Sequence, residues 1–501
     1  MASNVGGSRA PLRIVIAGGG TAGWMAAAAF GRFLEHGFDV RLVESDAIGA
    51  VGVGESTIPQ MRTFNHALGL DEDAMLRACG GTFKLGIEFV GWGAPDERYM
   101  HAFGDIGRDV GLIPFQHYWQ RARAAGLAAP LGAYSLNETA ARTRRMHRGA
   151  PATASVPPMP YAFHIDAGRY AAWLRRFAEA RGVVRTEGRI VAVEREGDGV
   201  AAVLLEAGER ITGDLFLDCT GFRALLIEGA LGVGFEGWAH WLPCDRAVAL
   251  PTASHGDLVP YTQAIAMPAG WRWRIPLQHR VGNGHVYASA FMDDEAALAG
   301  LLAAVDGAPL AEPNRLRFAA GRRRAAWAGN VVAMGLASGF LEPLESTSIY
   351  LVQSAIARLL KLLPGHTTAA AQRREYNRQT DFELEAVRDF IILHYHANRR
   401  DEPFWRAVRA QPLPDSLATR IDLYRSTGHI VREHEELFTE VGWLQVLEGQ
   451  GLAAAAYSPL ADMIAEPDLA EYMATIPALY AREAQRYPAH ADFIARHCAA
   501  R

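Results

Sequence analysis

A glycine-rich turn between two apolar strands constrains this chain more than any other stretch of it. Arg13-Ile14-Val15-Ile16-Ala17 is a short apolar run of the kind that forms a buried parallel strand. It enters Gly18-Gly19-Gly20-Thr21-Ala22-Gly23, after which residues 24–30 open a helix and residues 38–44 form a second strand. Strand, turn, helix and strand within about thirty residues make a βαβ unit. Gly18, Gly20 and Gly23 satisfy G-x-G-x-x-G, and Glu44 follows the last of them by 21 residues. The first two glycines let the backbone turn tightly and approach a pyrophosphate, whose charge rests on the helix N-terminus. The acid closing the second strand accepts hydrogen bonds from an adenosine ribose. The unit predicts dinucleotide binding.

The rest of the chain sets limits around that unit. Its 501 residues amount to about three domain equivalents and are enough for a large core without disulfides or a structural metal. The four cysteines, Cys79, Cys219, Cys244 and Cys498, are scattered and form no CxxC pair, so no zinc site is expected. A formal charge of −5 argues against a nucleic-acid binder or a polybasic membrane-surface protein. No apolar run approaches the roughly 18 residues of a membrane span. The opening MASNVGGSRAPL lacks the apolar stretch of a secretory signal, and a cytoplasmic location is expected.

Residues 105–160 read as loop-rich. From Gly188 to Gly221 two alternating runs flank the hairpin signal Gly197-Asp198-Gly199. They lead into DLFLDCTG at 214–221, a strand that returns to the dinucleotide domain in FAD-dependent monooxygenase-like folds and so favours FAD over NAD. Further strands are expected within 262–292 and 327–335, and helical periodicity begins near Thr347. The predicted fold is α/β. An FAD-binding Rossmann-type body with β-sheets and interleaved substrate segments spans 10–370, and a mostly helical part, 371–501, completes the substrate side.

Only two of the 50 basic residues are lysines, Lys84 and Lys361. Lysine loses its proton when desolvated and arginine does not, so each lysine in such a chain draws notice. Lys84 sits in the apolar setting Phe83-Lys84-Leu85, where burial would destabilise its ammonium. Lys361 precedes Leu-Leu-Pro and reads as a charge at a helix C-terminus. Trp271 and Trp273 alternate along a probable strand and share one face. Glu345 offers either a general base or an ordinary helix N-terminal acid, with Glu342 as its near decoy.

Four strings join the glycine fingerprint: GVGESTIP at 52–59, TFKLGI at 82–87, GWRWRIP at 270–276 with its W-x-W-x-I-P, and GFLEPLEST at 339–347. Together they resemble the flavin-dependent halogenases of the tryptophan halogenase family. The likeness runs from about Arg13 to the HYHANRRDEPFW stretch. It implies that FADH2, supplied by a separate flavin reductase, meets oxygen to form a flavin hydroperoxide, and that halide (chloride or bromide) attacks it to give hypohalous acid. The acid then travels to a lysine beside a small aromatic substrate. By resemblance the lysine is Lys84 and the assisting carboxylate Glu345. Ser346 links the flavin region to the lysine, and the amides near Thr347 and Ser348 hold the halide. The resemblance also implies FAD contacts at Gly18, Gly20, Thr21, Ala22, Gly23, Glu44, Ser45, Val53, Ser56, Leu336 and Ile349. It puts His101, Phe103 and Trp443 in the substrate pocket, with Trp271 and Trp273 as a wall between flavin and substrate that suppresses direct hydroxylation.

Two departures from the tryptophan-specific pattern stand out. Ser348 replaces the usual glycine after Glu-Ser-Thr, and the tyrosine pair and acid that clamp an amino-acid group in those members are not found, residues 442–451 standing in that general region. A buried ammonium and carboxylate need such partners. The expected substrate is therefore indole or another electron-rich aromatic rather than free tryptophan. The alternatives are an aromatic monooxygenase and a flavin-binding protein without turnover.

Overall fold

The computed structural model describes residues 10–48, 54–150, 153–256, 258–365, 367 and 369–500. The apolar run forms β1 (Leu12–Ala17), the glycine turn leads into α1 (Thr21–Phe33), and β2 (Phe38–Glu44) lies parallel beside β1. Residues 23–30 of α1 are buried throughout. Four successive alanines let this helix press between its sheet and the Ala167–Glu179 helix. The DLFLDCTG run forms Leu215–Asp218, paired parallel to the other side of β1. The six-stranded sheet then reads Trp327–Ala328, Val331–Ala333, Leu215–Asp218, β1, β2, Val184–Glu187, and only its first edge pair is antiparallel. This is the Rossmann-type body expected from the fingerprint.

Two further sheets complete the working part. A seven-stranded sheet holds Gly270–Pro276 between Thr262–Met267 and Val281–Tyr287, with Gly86–Val90 and Arg98–Ala102 at one edge. A three-stranded sheet sets Ala162–Asp166 between Gly54–Ser56 and Thr82–Lys84. Gly54–Ser56 of the GVGESTIP string and Thr82–Lys84 of TFKLGI thereby lie on the two sides of one strand.

The stretch 105–160 departs from expectation. It contains the helices Phe115–Ala124 and Leu136–Arg142, whose buried faces join the main core. Proline at 114 and 130 and glycine at 111 and 126 break the segment so often that its periodicity is hard to see. The helix Ala370–His396 buries residues 387–395 in a second core under the seven-stranded sheet. The helix His490–His497 closes on the lysine strand, where Phe493 meets the Phe83 ring edge-on at 5.2 Å and the Phe83 N–H donates to His490 Nε2. No helix among the described residues is long and apolar enough to cross a membrane.

Candidate active site

Where the six-stranded sheet meets the seven-stranded one, a cavity of about 770 Å³ runs from the glycine turn to the tryptophan strand. Gly18, Gly20, Thr21, Ala22, Glu44 and Ser45 line one end; Ser56, Trp271, Trp273, Leu336, Ser348 and Ile349 line the remainder. Val53 lies outside the described residues. Gly20 has no atom within 4 Å of where a Cβ would stand, so its backbone faces open space, as close approach of a pyrophosphate requires. Gly18 has φ +106°, and a Cβ there would come 2.3 Å from the Cys219 carbonyl oxygen. Gly23 does not line the cavity. A Cβ on it would come 1.9 Å from the Gly18 carbonyl oxygen, so its lack of a side chain lets the helix close on the turn. Glu44 is held by Arg185 at 2.6 Å and by the Trp24 indole N–H at 3.3 Å, which fixes the carboxylate at the cavity rim. The glycine cradle, the acid and the elongated, largely apolar wall fit an FAD molecule. Gly18→Ala is expected to weaken FAD binding at least about tenfold through backbone strain, measured by quenching of flavin fluorescence.

Lys84 lies behind the far wall of this cavity. Its side chain is fully buried, and Nζ donates to the Thr57 carbonyl at 3.0 Å and to Ser346 Oγ at 2.9 Å. Thr57 adjoins the cavity-lining Ser56, and Ser346 lies two residues before the cavity-lining Ser348. The Phe103 ring centroid is 5.2 Å from Nζ. Burial pushes the ammonium down to about 7, with the Glu345 charge opposing the fall. Two acceptors satisfy both N–H bonds of a neutral amine and leave its lone pair free. Lys361 ends the Ser348–Lys361 helix and is exposed, as its sequence context suggested.

Glu345 is buried between two histidines. His101 Nδ1 lies 2.8 Å from Oε2, and His394 Nε2 lies 2.8 Å from Oε1 in an orientation too bent for a directed hydrogen bond. His394 Nδ1 sits 2.8 Å from the Phe390 carbonyl, which can only accept, so that nitrogen carries a proton. Burial alone would raise the Glu345 carboxyl, but the two imidazoles overcome it and hold the group at about 2. Glu345 therefore does not cap the helix that follows. Glu342, the decoy, accepts from the Trp271 indole and the Tyr395 hydroxyl, and burial raises it to about 7. Between Glu345 and the helix, Ser346 has φ +61°, and the Thr347 hydroxyl is buried without a partner at the start of the Ser348–Lys361 helix.

The remaining expected residues divide. Trp271 and Trp273 share a face with ring centroids 6.2 Å apart, and both border the cavity that holds the glycine turn. Trp443 is buried, edge-on to Phe390 and under the Arg420 guanidinium, and it connects to His101 through Phe390. Sequence reasoning missed His394, because helical periodicity absorbs HYHANRR and no spacing marks the histidine that turns inward. It also assigned nothing to Glu55, a cavity-lining acid within the GESTIP string that burial lifts to about 7. Among the described residues no cluster of His, Cys, Asp and Glu could hold a metal ion.

Known proteins share this arrangement. The family model for tryptophan halogenases matches residues 13–466. Tryptophan 7-halogenase RebH of Lentzea aerocolonigenes is 36% identical over 489 residues, covering 89% of this chain and 91% of its own. Among solved structures, Xcc4156, a flavin-dependent halogenase from Xanthomonas campestris, is 47% identical with a TM-score of 0.95, covering 98% of this chain and 99% of its own. BrvH, a flavin-dependent halogenase from Brevundimonas sp. BAL3, is 46% identical with a TM-score of 0.92, covering 97% and 98%. The cavity and the buried lysine thus belong to an enzyme of the flavin-dependent halogenases, which use FAD as cofactor and consume halide. The chain is a member of the tryptophan halogenase family.

Proposed function

We propose that this enzyme halogenates indole or a similar electron-rich aromatic by passing the halogen through Lys84. FAD, delivered reduced by a separate flavin reductase, would give oxygen the two electrons that bring it to the peroxide level, and that oxidant takes halide to hypohalous acid. The Gly18–Ala22 turn, Glu44 and Ser45 hold the nucleotide, and the Trp271 and Trp273 indoles keep the substrate off the flavin. The amides after Ser346, at a helix N-terminus, suit an anion and are the halide site, with Thr347 and Ser348. The Lys84 amine takes the halogen as the O–X bond breaks and water leaves. Transfer to the ring carbon leaves the nitrogen one proton short; the ring proton passes to the Glu345 carboxylate, whose charge also steadies the cationic ring, and is handed back to the nitrogen to restore the amine. Ser346 orients the amine, and Phe103 and His101 border the ring. The observation that carries this reading is a fully buried Nζ with two acceptors and a free lone pair, one residue behind the cofactor wall.

The substrate follows from what the pocket side lacks. Glu448, the acid within 442–451, is already engaged by Arg123 and the Tyr424 hydroxyl, and Gln445 is spent on both backbone groups of Ala102. An amino-acid ammonium and carboxylate buried there would lose hydration without replacement. With FAD, a reductase system and bromide or chloride, kcat/KM for indole is expected to exceed that for tryptophan by about tenfold or more, read by the halogen isotope pattern of the product. A preference for tryptophan would overturn the substrate assignment. Oxygenated product without a halide requirement would overturn the halogen transfer itself.

A further inference from the structure

Behind the cofactor cavity, on the side away from the glycine turn, four buried polar side chains form a continuous chain that the halogen-transfer reading does not use. Ser56 Oγ and Thr262 Oγ1 are 2.6 Å apart, and both residues line the cavity. Thr262 Oγ1 lies 3.0 Å from His164 Nε2, and His164 Nδ1 lies 2.8 Å from Thr82 Oγ1. The Thr82 hydroxyl donates to the Pro276 carbonyl at 2.8 Å. The inner members, His164 and Thr82, are fully buried; Thr262 and Ser56 are 5% and 6% exposed, at the cavity end.

The direction of every bond follows from the inner terminus. The Pro276 carbonyl can only accept, and the Thr82 hydroxyl has one proton, which it gives there. Thr82 Oγ1 must then accept from His164, so His164 carries its proton on Nδ1. Burial above all keeps this imidazole from taking a second proton, and Arg274, with Lys84 and His490 when they are protonated, opposes it further. A neutral ring with Nδ1–H has only a lone pair at Nε2, so Thr262 donates to His164, and Ser56 donates to Thr262. Reversing the chain would strip the buried Pro276 carbonyl of this donor and leave an acceptor without that bond.

We propose that Ser56 is a positioning residue locked as a hydrogen-bond acceptor toward the flavin, and that it favours the reduced cofactor over the oxidised one. With its proton committed inward, Ser56 offers only lone pairs to the cavity. Reduced isoalloxazine carries more ring N–H groups than the oxidised ring, so an acceptor-only wall is better matched to the reduced state. This rests on the FAD-dependent reading of the cavity and extends it to which redox state the cavity selects.

The test measures the midpoint potential of FAD bound to the full chain, together with oxidised-FAD affinity by fluorescence titration; neither depends on halide or aromatic substrate. Ser56→Ala is expected to leave oxidised-FAD affinity within about twofold and to weaken reduced-FAD binding about tenfold. That moves the bound potential about 30 mV more negative for a two-electron couple. Thr262→Val, which frees the Ser56 proton, is expected to move the potential the same way by a smaller amount, and it carries the test should Ser56→Ala misfold. A potential unchanged in both variants would reduce the chain to a structural feature, and a positive shift would mean that Ser56 donates. The expected shifts in both variants, from a wild type that bound FAD yet made no halogenated product, would leave this contact standing and sink the halogen-transfer reading. Failure of the wild type to bind FAD at all would contradict both.

Discussion

Lys84→Met is expected to abolish halogenated product, by about a thousandfold or more, while FAD remains bound with near wild-type affinity. Methionine approximates the stem of lysine and removes the amine, so the apolar setting is kept and the nitrogen that hands halogen to the ring is lost, the thioether going to sulfoxide instead. The same substitution has an expected stability signature. Burial takes the ammonium from 10.5 to about 7. Between those values the folded protein has shed a proton that the unfolded chain retains, so wild-type stability gains with rising pH across that window. The penalty of burying the charged amine is fully present below pH 7 and fades toward 10.5. Lys84→Met should therefore melt higher than wild type at pH 6, with the gap narrowing as pH rises, as followed by thermal unfolding. Halogen transfer through a neutral amine has the matching dependence. The fraction of oxidant converted to product should fall roughly tenfold from pH 8 to pH 6 as the ammonium forms.

Glu345→Gln is expected to lower kcat about a hundredfold with little change in FAD affinity, measured as haloindole formation under saturating substrate. The amide keeps the shape but removes the charge that His101 and His394 hold between them, and it cannot take the ring proton. Because those imidazoles hold Glu345 at about 2, the carboxylate stays charged across the assay range, and its loss is not imitated by any change of pH there. Glu342→Gln is the contrasting variant. Its carboxyl is tied to Trp271 and Tyr395 rather than to the lysine side, and its effect on kcat should be far smaller. Equal losses in the two variants would contradict the role given to Glu345.

The parts of this molecule that are legible in sequence are those whose physics is local. The Gly18 turn needs a residue that tolerates φ +106° and leaves the Cys219 carbonyl its space, so the fingerprint is written in adjacent residues. A lysine between Phe83 and Leu85 in an arginine-based chain points to burial through its immediate neighbours, and the shared face of Trp271 and Trp273 follows from strand alternation. What stays hidden depends on long-range packing. The neighbours of Glu345 come from residues 101 and 394, on a sheet-edge strand and a long helix, and nothing in either sequence context announces the meeting. The Ser56–Thr262–His164–Thr82 chain likewise joins four strands from two sheets, with bond directions fixed by a carbonyl at 276. Gly23 illustrates a motif position read as ligand-binding whose side-chain space is taken by the glycine turn itself, at the Gly18 carbonyl.

The central claim is that the oxidant is made in one cavity and used at a buried amine next to it. The most direct measurement compares the haloindole yield of wild type and Lys84→Met at matched FADH2 oxidation, with a thioether scavenger of hypohalous acid in solution. Wild-type yield is expected to withstand the scavenger, while Lys84→Met makes almost no haloindole and its oxidant appears, in proportion to bromide, first as sulfoxide of the introduced methionine and then as oxidised scavenger. Haloindole formed by Lys84→Met at the wild-type level, or wild-type product erased by the external scavenger, would contradict that claim.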